Sequence, residues 1–137
     1  MLNKTIVLVD DDKADQEIIK QALHQAGIKS KLVILDNGEK FLSFIEQNHH
    51  PNLILLDLNM PKISGKEVLT RLTDQQIKDR IILILTTSDN ESDIDFCYKA
   101  GVKSFITKPS DLTSFNKMIE TISRYWFSDM LKLPNFV

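Results

Sequence analysis

A chain of 137 residues with a formal charge of −2, 42% hydrophobic and 26% charged, suits one globular domain and gives no electrostatic reason to expect nucleic acid or an anionic membrane as a partner. Its single cysteine, Cys97, excludes an internal disulfide and fits a reducing compartment. The opening MLNKTIVLVDDD has only a short apolar run before three acids, so it reads as neither signal peptide nor membrane anchor, and the chain is expected in the cytoplasm.

The first strand is predicted at Thr5–Val9 and ends in Asp10-Asp11-Asp12. A helix over 13–26 follows, with Ala14, Ile18, Ala22, Leu23 and Ala26 on one stripe and Gly27 at its end. A strand at Lys31–Leu35 runs through the turn Asp36-Asn37-Gly38 into a helix over 39–48, where Phe41, Leu42 and Ile45 align. His49 and His50 precede Pro51. Adjacent histidines on a turn point apart, so they read as a solvated loop and not as metal ligands. Leu53–Leu56 is apolar at every position, as a strand covered on both faces should be, and runs straight into Asp57. Ser64-Gly65-Lys66-Glu67 reads as a capping box opening a helix with Val68, Leu69 and Leu72, and the connection over 74–79 is short. The strand at Ile81–Leu85 ends in Thr86-Thr87-Ser88. A helix over 91–99 carries Ile94, Cys97 and Tyr98 on its stripe, with Cys97 as packing, and Gly101 ends it. The strand at Ser104–Thr107 leads to Lys108-Pro109. The last helix, 111–126, spaces Leu112, Phe115, Ile119, Ile122 and Trp126 by 3, 4, 3 and 4.

Five β-α repeats predict a doubly wound α/β fold with a mostly parallel sheet. Such folds bind ligands beyond the carboxyl ends of their strands. The residues there are three acids after the first strand, Asp57 after the third, hydroxyls after the fourth and Lys108 after the fifth. Clustered carboxylates repel unless a cation neutralises them, and hard oxygen ligands suit Mg²⁺. A carboxylate-bound metal in an α/β cleft generally serves phosphate. No strand is followed by a glycine-rich phosphate loop, which argues against a nucleotide cradle. An aspartate that itself accepts a phosphoryl group remains. In that reading Asp57 attacks phosphorus, while Lys108 and a threonine hydroxyl stabilise the transferred group.

The acidic pair in IVLVDDD, the segment LILLDLNMPKISG, LTTS and the Lys-Pro of FITKP resemble, in order and spacing, the receiver domain of two-component response regulators. The resemblance covers roughly residues 3–125. It implies the flavodoxin-like (βα)₅ fold with strand order 2-1-3-4-5. It makes Asp57 the phosphoacceptor, with Asp11 as a direct Mg²⁺ ligand, Asp10 acting mainly through water and the Asn59 carbonyl as a further ligand. Thr86 becomes the switch hydroxyl in preference to Thr87, Phe105 takes the place of the switch aromatic, Lys108 binds the phosphoryl group, and the Lys108–Pro109 bond is expected cis. Asp12 suits the N-cap of the first helix, with Asp15 in its first turn. The resemblance also places Asn59 and Ser88 at positions that tune phosphoryl lifetime in that family. Phosphorylation would catalytically involve Asp57, Thr86 and Lys108 and change a surface built from the 91–99 helix, the 104–107 strand and the 111–126 helix.

The donor implied is a sensor histidine kinase or a histidine phosphotransfer protein. The chain is expected to divide into a receiver domain, 1–125, and an apolar C-terminal extension, 126–137, with no output domain. The extension resembles that of stand-alone receivers paired with sensor kinases, including those of phytochrome-type photoreceptors, and implies a homodimer through the last helix and extension. Two other classes compete. A haloacid-dehalogenase-type phosphatase would want Asp-x-Asp after its first strand, whereas Asp57 follows the third and has Asn59 two residues on. A phosphorylation-independent binding module would not need the intact acid, Asp57, Thr86 and Lys108 set.

Overall fold

The computed structural model describes residues 4–127. The elements run β1 (Lys4–Val9), α1 (Lys13–Gln25), β2 (Ser30–Leu35), α2 (Gly38–Glu46), β3 (Leu53–Leu56), α3 (Gly65–Arg71), α4 (Asp74–Lys78), β4 (Ile82–Thr86), α5 (Glu91–Ala100), β5 (Ser104–Thr107) and α6 (Leu112–Trp126). All strand pairs are parallel, and the sheet order is β2-β1-β3-β4-β5. This is the doubly wound fold that the alternating sequence predicts.

The sheet separates two apolar layers, because successive strand residues point to opposite faces. Val7, Val9, Ile54, Leu56, Ile82 and Ile84 meet Phe41, Ile45, Val68, Leu69 and Cys97 from α2, α3 and α5. Ile6, Leu8, Leu53, Leu55, Leu83 and Leu85 meet Ile19, Leu23, Phe115, Ile119 and Ile122 from α1 and α6. The buried face of α1 is Gln16, Ile19, Ala22 and Leu23, so Ala14 is displaced from the predicted stripe by a polar residue. Gln16 is accommodated because its Nε2 donates to the Asp10 carbonyl at 2.7 Å. Tyr98 and Leu112, both predicted on apolar stripes, are exposed.

Helix α4 fills what the sequence reads only as a short connection. Thr73 and Gln76 form a reciprocal capping box there. At Ser64 the box is half made. The Ser64 hydroxyl accepts the Glu67 N–H at 3.2 Å, but the Glu67 carboxylate turns to Arg71 Nη2 at 2.7 Å. Beyond α4, Arg80 is buried and makes no ion pair with a carboxylate among the described residues. Its Nε donates to the His49 carbonyl and its Nη1 to the Gln76 carbonyl, both at 3.0 Å. Burial lowers the pKa of this guanidinium, against the charge of Asp79. Arg80 thus ties the loop before β3 to α4. Arg80→Met keeps much of the buried stem and leaves both carbonyls without this donor. It is expected to cost about 1–3 kcal/mol, read as a lower urea midpoint with unchanged slope. An unchanged midpoint would count against the tie.

His49 stacks on Phe44 at 4.4 Å, and the ring nitrogens of His49 and His50 contact Gln47 and Asn48, as a solvated loop requires. No helix among the described residues is long and apolar enough to cross a membrane. Most of the apolar extension, residues 128–137, and with it part of the expected dimer contact, lies outside the described residues.

Candidate functional site

Parallel pairing brings the carboxyl ends of the strands to one edge of the sheet. Leu56 is in register with Val9, and the backbone N–H of Asp57 donates to the Val9 carbonyl at 3.0 Å. On the other side, the Lys108 N–H donates to the Thr86 carbonyl at 2.6 Å. Asp10, Asp57, Thr86 and Lys108 therefore converge although 98 positions separate the first from the last.

The Lys108 ammonium, only 5% exposed, is the electrostatic centre. Its Nζ donates to Asp15 Oδ2 at 2.7 Å, Asp10 Oδ2 at 2.8 Å and Asp57 Oδ2 at 3.2 Å. Burial by itself would lower its pKa. Hydrogen bonds to Asp10 and Asp15 and the charges of Asp10 and Asp57 outweigh that and raise it. Asp10 is 1% exposed, and burial raises its pKa in spite of Lys108 and the Asp12 N–H, which donates to its Oδ1 at 2.9 Å. Asp57 is also buried, and its Oδ1 accepts the Asn59 N–H at 3.0 Å. Asp12 caps α1 by accepting the Asp15 N–H at 3.1 Å, as predicted.

Thr86 is fully buried and Thr87 exposed. The Asn59 side-chain amide donates to both hydroxyls, at 3.1 and 3.2 Å. Ser88 points elsewhere, donating to Asp93 Oδ2 at 2.8 Å. Asp93 also accepts from Lys66 Nζ at 2.9 Å, and these contacts, Lys66 first, lower its pKa. Phe105 packs partly buried against the core on the α2, α3 and α5 side, and its backbone N–H donates to the Tyr98 hydroxyl at 3.0 Å. Cys97 is inert packing, its thiol pushed by burial up to about 11.

Two residues of the site carry little sequence signal. Asp15 reads as an acid complementing a helix N-terminus, but its carboxylate is a partner of Lys108. Gly65 reads as one position of a cap. In the fold a Cβ there would lie 2.5 Å from the Asp57 carbonyl oxygen and 2.7 Å from Leu58 Cα. The start of α3 is thus pressed against the backbone that carries Asp57, with the Gly65 N–H donating to the Leu58 carbonyl at 2.9 Å. Gly65→Ala must displace that backbone and is expected to cost about 1–3 kcal/mol. A melting temperature unchanged in Gly65→Ala would contradict this packing.

The Lys108–Pro109 bond, expected cis, is trans; no cis bond occurs among the described residues. Proline lowers the cost of cis but leaves trans favoured by about 0.5–1 kcal/mol. In the trans form Lys108 already satisfies its N–H and all three ammonium protons.

Oxygens of Asp10, Asp11 and Asp57 lie within 4.8 Å of one another, with Asp11 on the accessible side. Together with Asp15, four carboxylates face one ammonium. The all-oxygen donors and the deficit of positive charge fit a hard divalent cation such as Mg²⁺. A 340 Å³ cleft opens beside the cluster, with Asp15, Thr87, Lys108 and Pro109 in its wall. A larger 640 Å³ cleft between α1 and β2, with Leu23, Ile28 and Leu32 in its wall, holds none of these groups.

The profile of the response regulator receiver domain matches residues 6–120. Response regulator Rcp1 of Synechocystis sp. is 38% identical, over 96% of this chain and 93% of its own. The crystal structure of its Mn²⁺-bound form superposes with a TM-score of 0.82 at 36% identity, covering 96% of this chain and 99% of that one. The phosphorylated cyanobacterial phytochrome response regulator RcpA superposes at 0.85 with 33% identity, over 98% of this chain and all of that one (100%).

Proposed function

The chain belongs to the response regulator receiver family, and from that premise we propose that it is a phosphorylation switch whose acceptor is Asp57. The observation that carries this reading is the buried Asp57 carboxylate held between the acids Asp10 and Asp11 and the Lys108 ammonium. In the transfer, an Asp57 carboxylate oxygen attacks phosphorus, the bond from phosphorus to the donor histidine nitrogen breaks, and the imidazole leaves with that electron pair. Asp10, Asp11, Asp57 and the Asn59 carbonyl would hold Mg²⁺, which would supply positive charge to the phosphoryl oxygens. Lys108 supplies an ammonium donor to the same group.

The switch follows from what the acceptor is tied to. Asn59 links the Asp57 turn to Thr86 and Thr87. A phosphoryl group that draws the Thr86 hydroxyl toward itself breaks that bond and vacates the space the hydroxyl fills, into which Phe105 turns. The faces of α5, β5 and α6 change together, and a partner that prefers the changed face shifts the equilibrium by its differential affinity. The donor is a sensor histidine kinase or histidine phosphotransfer protein. Similarity to RcpA favours a phytochrome-type sensor.

Incubation with phosphoramidate and Mg²⁺, followed by intact mass, tests the reading. One alkali-labile phosphoryl adduct, suppressed by chelator, is expected. No adduct would reduce the chain to a receiver-like module that binds partners without phosphorylation.

A further inference from the structure

Lys108 has three ammonium protons and three carboxylate acceptors, and the acceptors are not equivalent. Asp10 and Asp57 belong to the group of oxygens that fits a cation, whereas Asp15 is outside that group among the described residues. Asp15 nonetheless makes the shortest of the three contacts, 2.7 Å. Its backbone is fixed in the first turn of α1 by the Asp12 cap. Its side chain is 24% exposed and forms part of the wall of the cleft that leads to Lys108. A divalent cation on Asp10, Asp11 and Asp57 would compete with Lys108 for carboxylate oxygens and repel its ammonium. Only the Asp15 contact escapes that competition.

We propose that Asp15 is a positioning residue, the counter-ion that keeps Lys108 at the site once the cation is bound and leaves a proton free on the Asp57 side. This rests on the reading of Asp57 as phosphoacceptor. The contact with Asp57 is the longest of the three, 3.2 Å, and is the one Lys108 exchanges for a phosphoryl oxygen. The charge-assisted bond that Lys108 donates to Asp15 holds the nitrogen while that exchange takes place.

The test uses the full chain, ¹⁵N-labelled, with MgCl₂ and phosphoramidate as probes. Asp15→Ala removes the acceptor, and Asp15→Asn keeps an uncharged one. Ammonium-selective NMR reads Lys108 directly, because a held, buried ammonium gives a slowly exchanging signal, identified by its loss in Lys108→Ala. In the unsubstituted chain the signal survives saturation with Mg²⁺. In Asp15→Ala it survives without Mg²⁺ and is lost with it, and labelling at saturating Mg²⁺ falls about tenfold. Asp15→Asn falls between. A Lys108 signal that withstands Mg²⁺ equally in all three proteins, or labelling of Asp15→Ala within twofold of the unsubstituted chain, overturns the proposal. If the unsubstituted chain takes no label, the phosphoacceptor reading fails, and the NMR comparison still decides whether Asp15 anchors Lys108.

Discussion

An Asp57→Asn protein is expected to take up phosphoryl groups more than about 10³-fold more slowly than the unsubstituted chain, the scale on which loss of a nucleophile acts, and to fold at least as stably. The amide has nearly the shape of the carboxylate, and its oxygen can still accept the Asn59 N–H that Asp57 Oδ1 now receives. Lys108 retains Asp10 and Asp15. What disappears is one negative charge from a site where carboxylates outnumber ammonium groups. Relief of that repulsion is worth about 1 kcal/mol in the absence of divalent ions. Thermal melts with and without Mg²⁺ check both halves: the variant melts at or above the parent without Mg²⁺ and gains less on its addition. A variant that labels normally would place the acceptor elsewhere.

Lys108→Ala is expected to act in the opposite sense on stability. Asp10 and Asp57 lie at 1% and 6% exposure and lose the cation they share. Breaking a buried ion pair by deleting one partner costs about 3–5 kcal/mol, because the remaining charge keeps its desolvation penalty. Asp10 is the more severely affected, since burial already raises its pKa with Lys108 in place. Mg²⁺ held by the folded cluster alone would restore part of the loss, about 2.7 kcal/mol at a hundredfold excess over its dissociation constant. Phosphoramidate labelling should fall by about 10²–10³, as when a donor to developing charge is removed. Urea titrations at several Mg²⁺ concentrations measure the stability term. A loss under about 1 kcal/mol, or no response to Mg²⁺, would show that Lys108 does not neutralise the cluster.

Much of this arrangement is legible in sequence because parallel strands convert order into proximity. Four apolar residues ending in Asp57 mark a central strand, and a site at the carboxyl ends follows from the topology. Asp10, Thr86 and Lys108 are then found by reading the residue at each strand's end. The side chains that adjust the site are harder to see. Asp15 lies 93 positions from Lys108, and its local setting already explains an acid at a helix start. Asn59 is readable as a polar residue near Asp57, but its amide bridge to two threonine hydroxyls depends on where β4 sits relative to β3. Gly65 is constrained by backbone from another segment, which no local pattern encodes. Helix α4 is too short for periodicity to register, and the trans Lys108–Pro109 bond shows a resemblance carrying a feature that this chain's structure does not share.

The most direct measurement is to locate the acceptor. The chain is incubated with phosphoramidate and Mg²⁺, reduced with borohydride, digested and sequenced by mass spectrometry. Borohydride converts an aspartyl phosphate to homoserine and leaves phosphohistidine and phosphothreonine untouched. Homoserine at position 57, present with Mg²⁺ and absent with chelator, is the result predicted. Homoserine at position 10 or 11, or a phosphoryl group found on Thr86 or a histidine with position 57 unmodified, would contradict it.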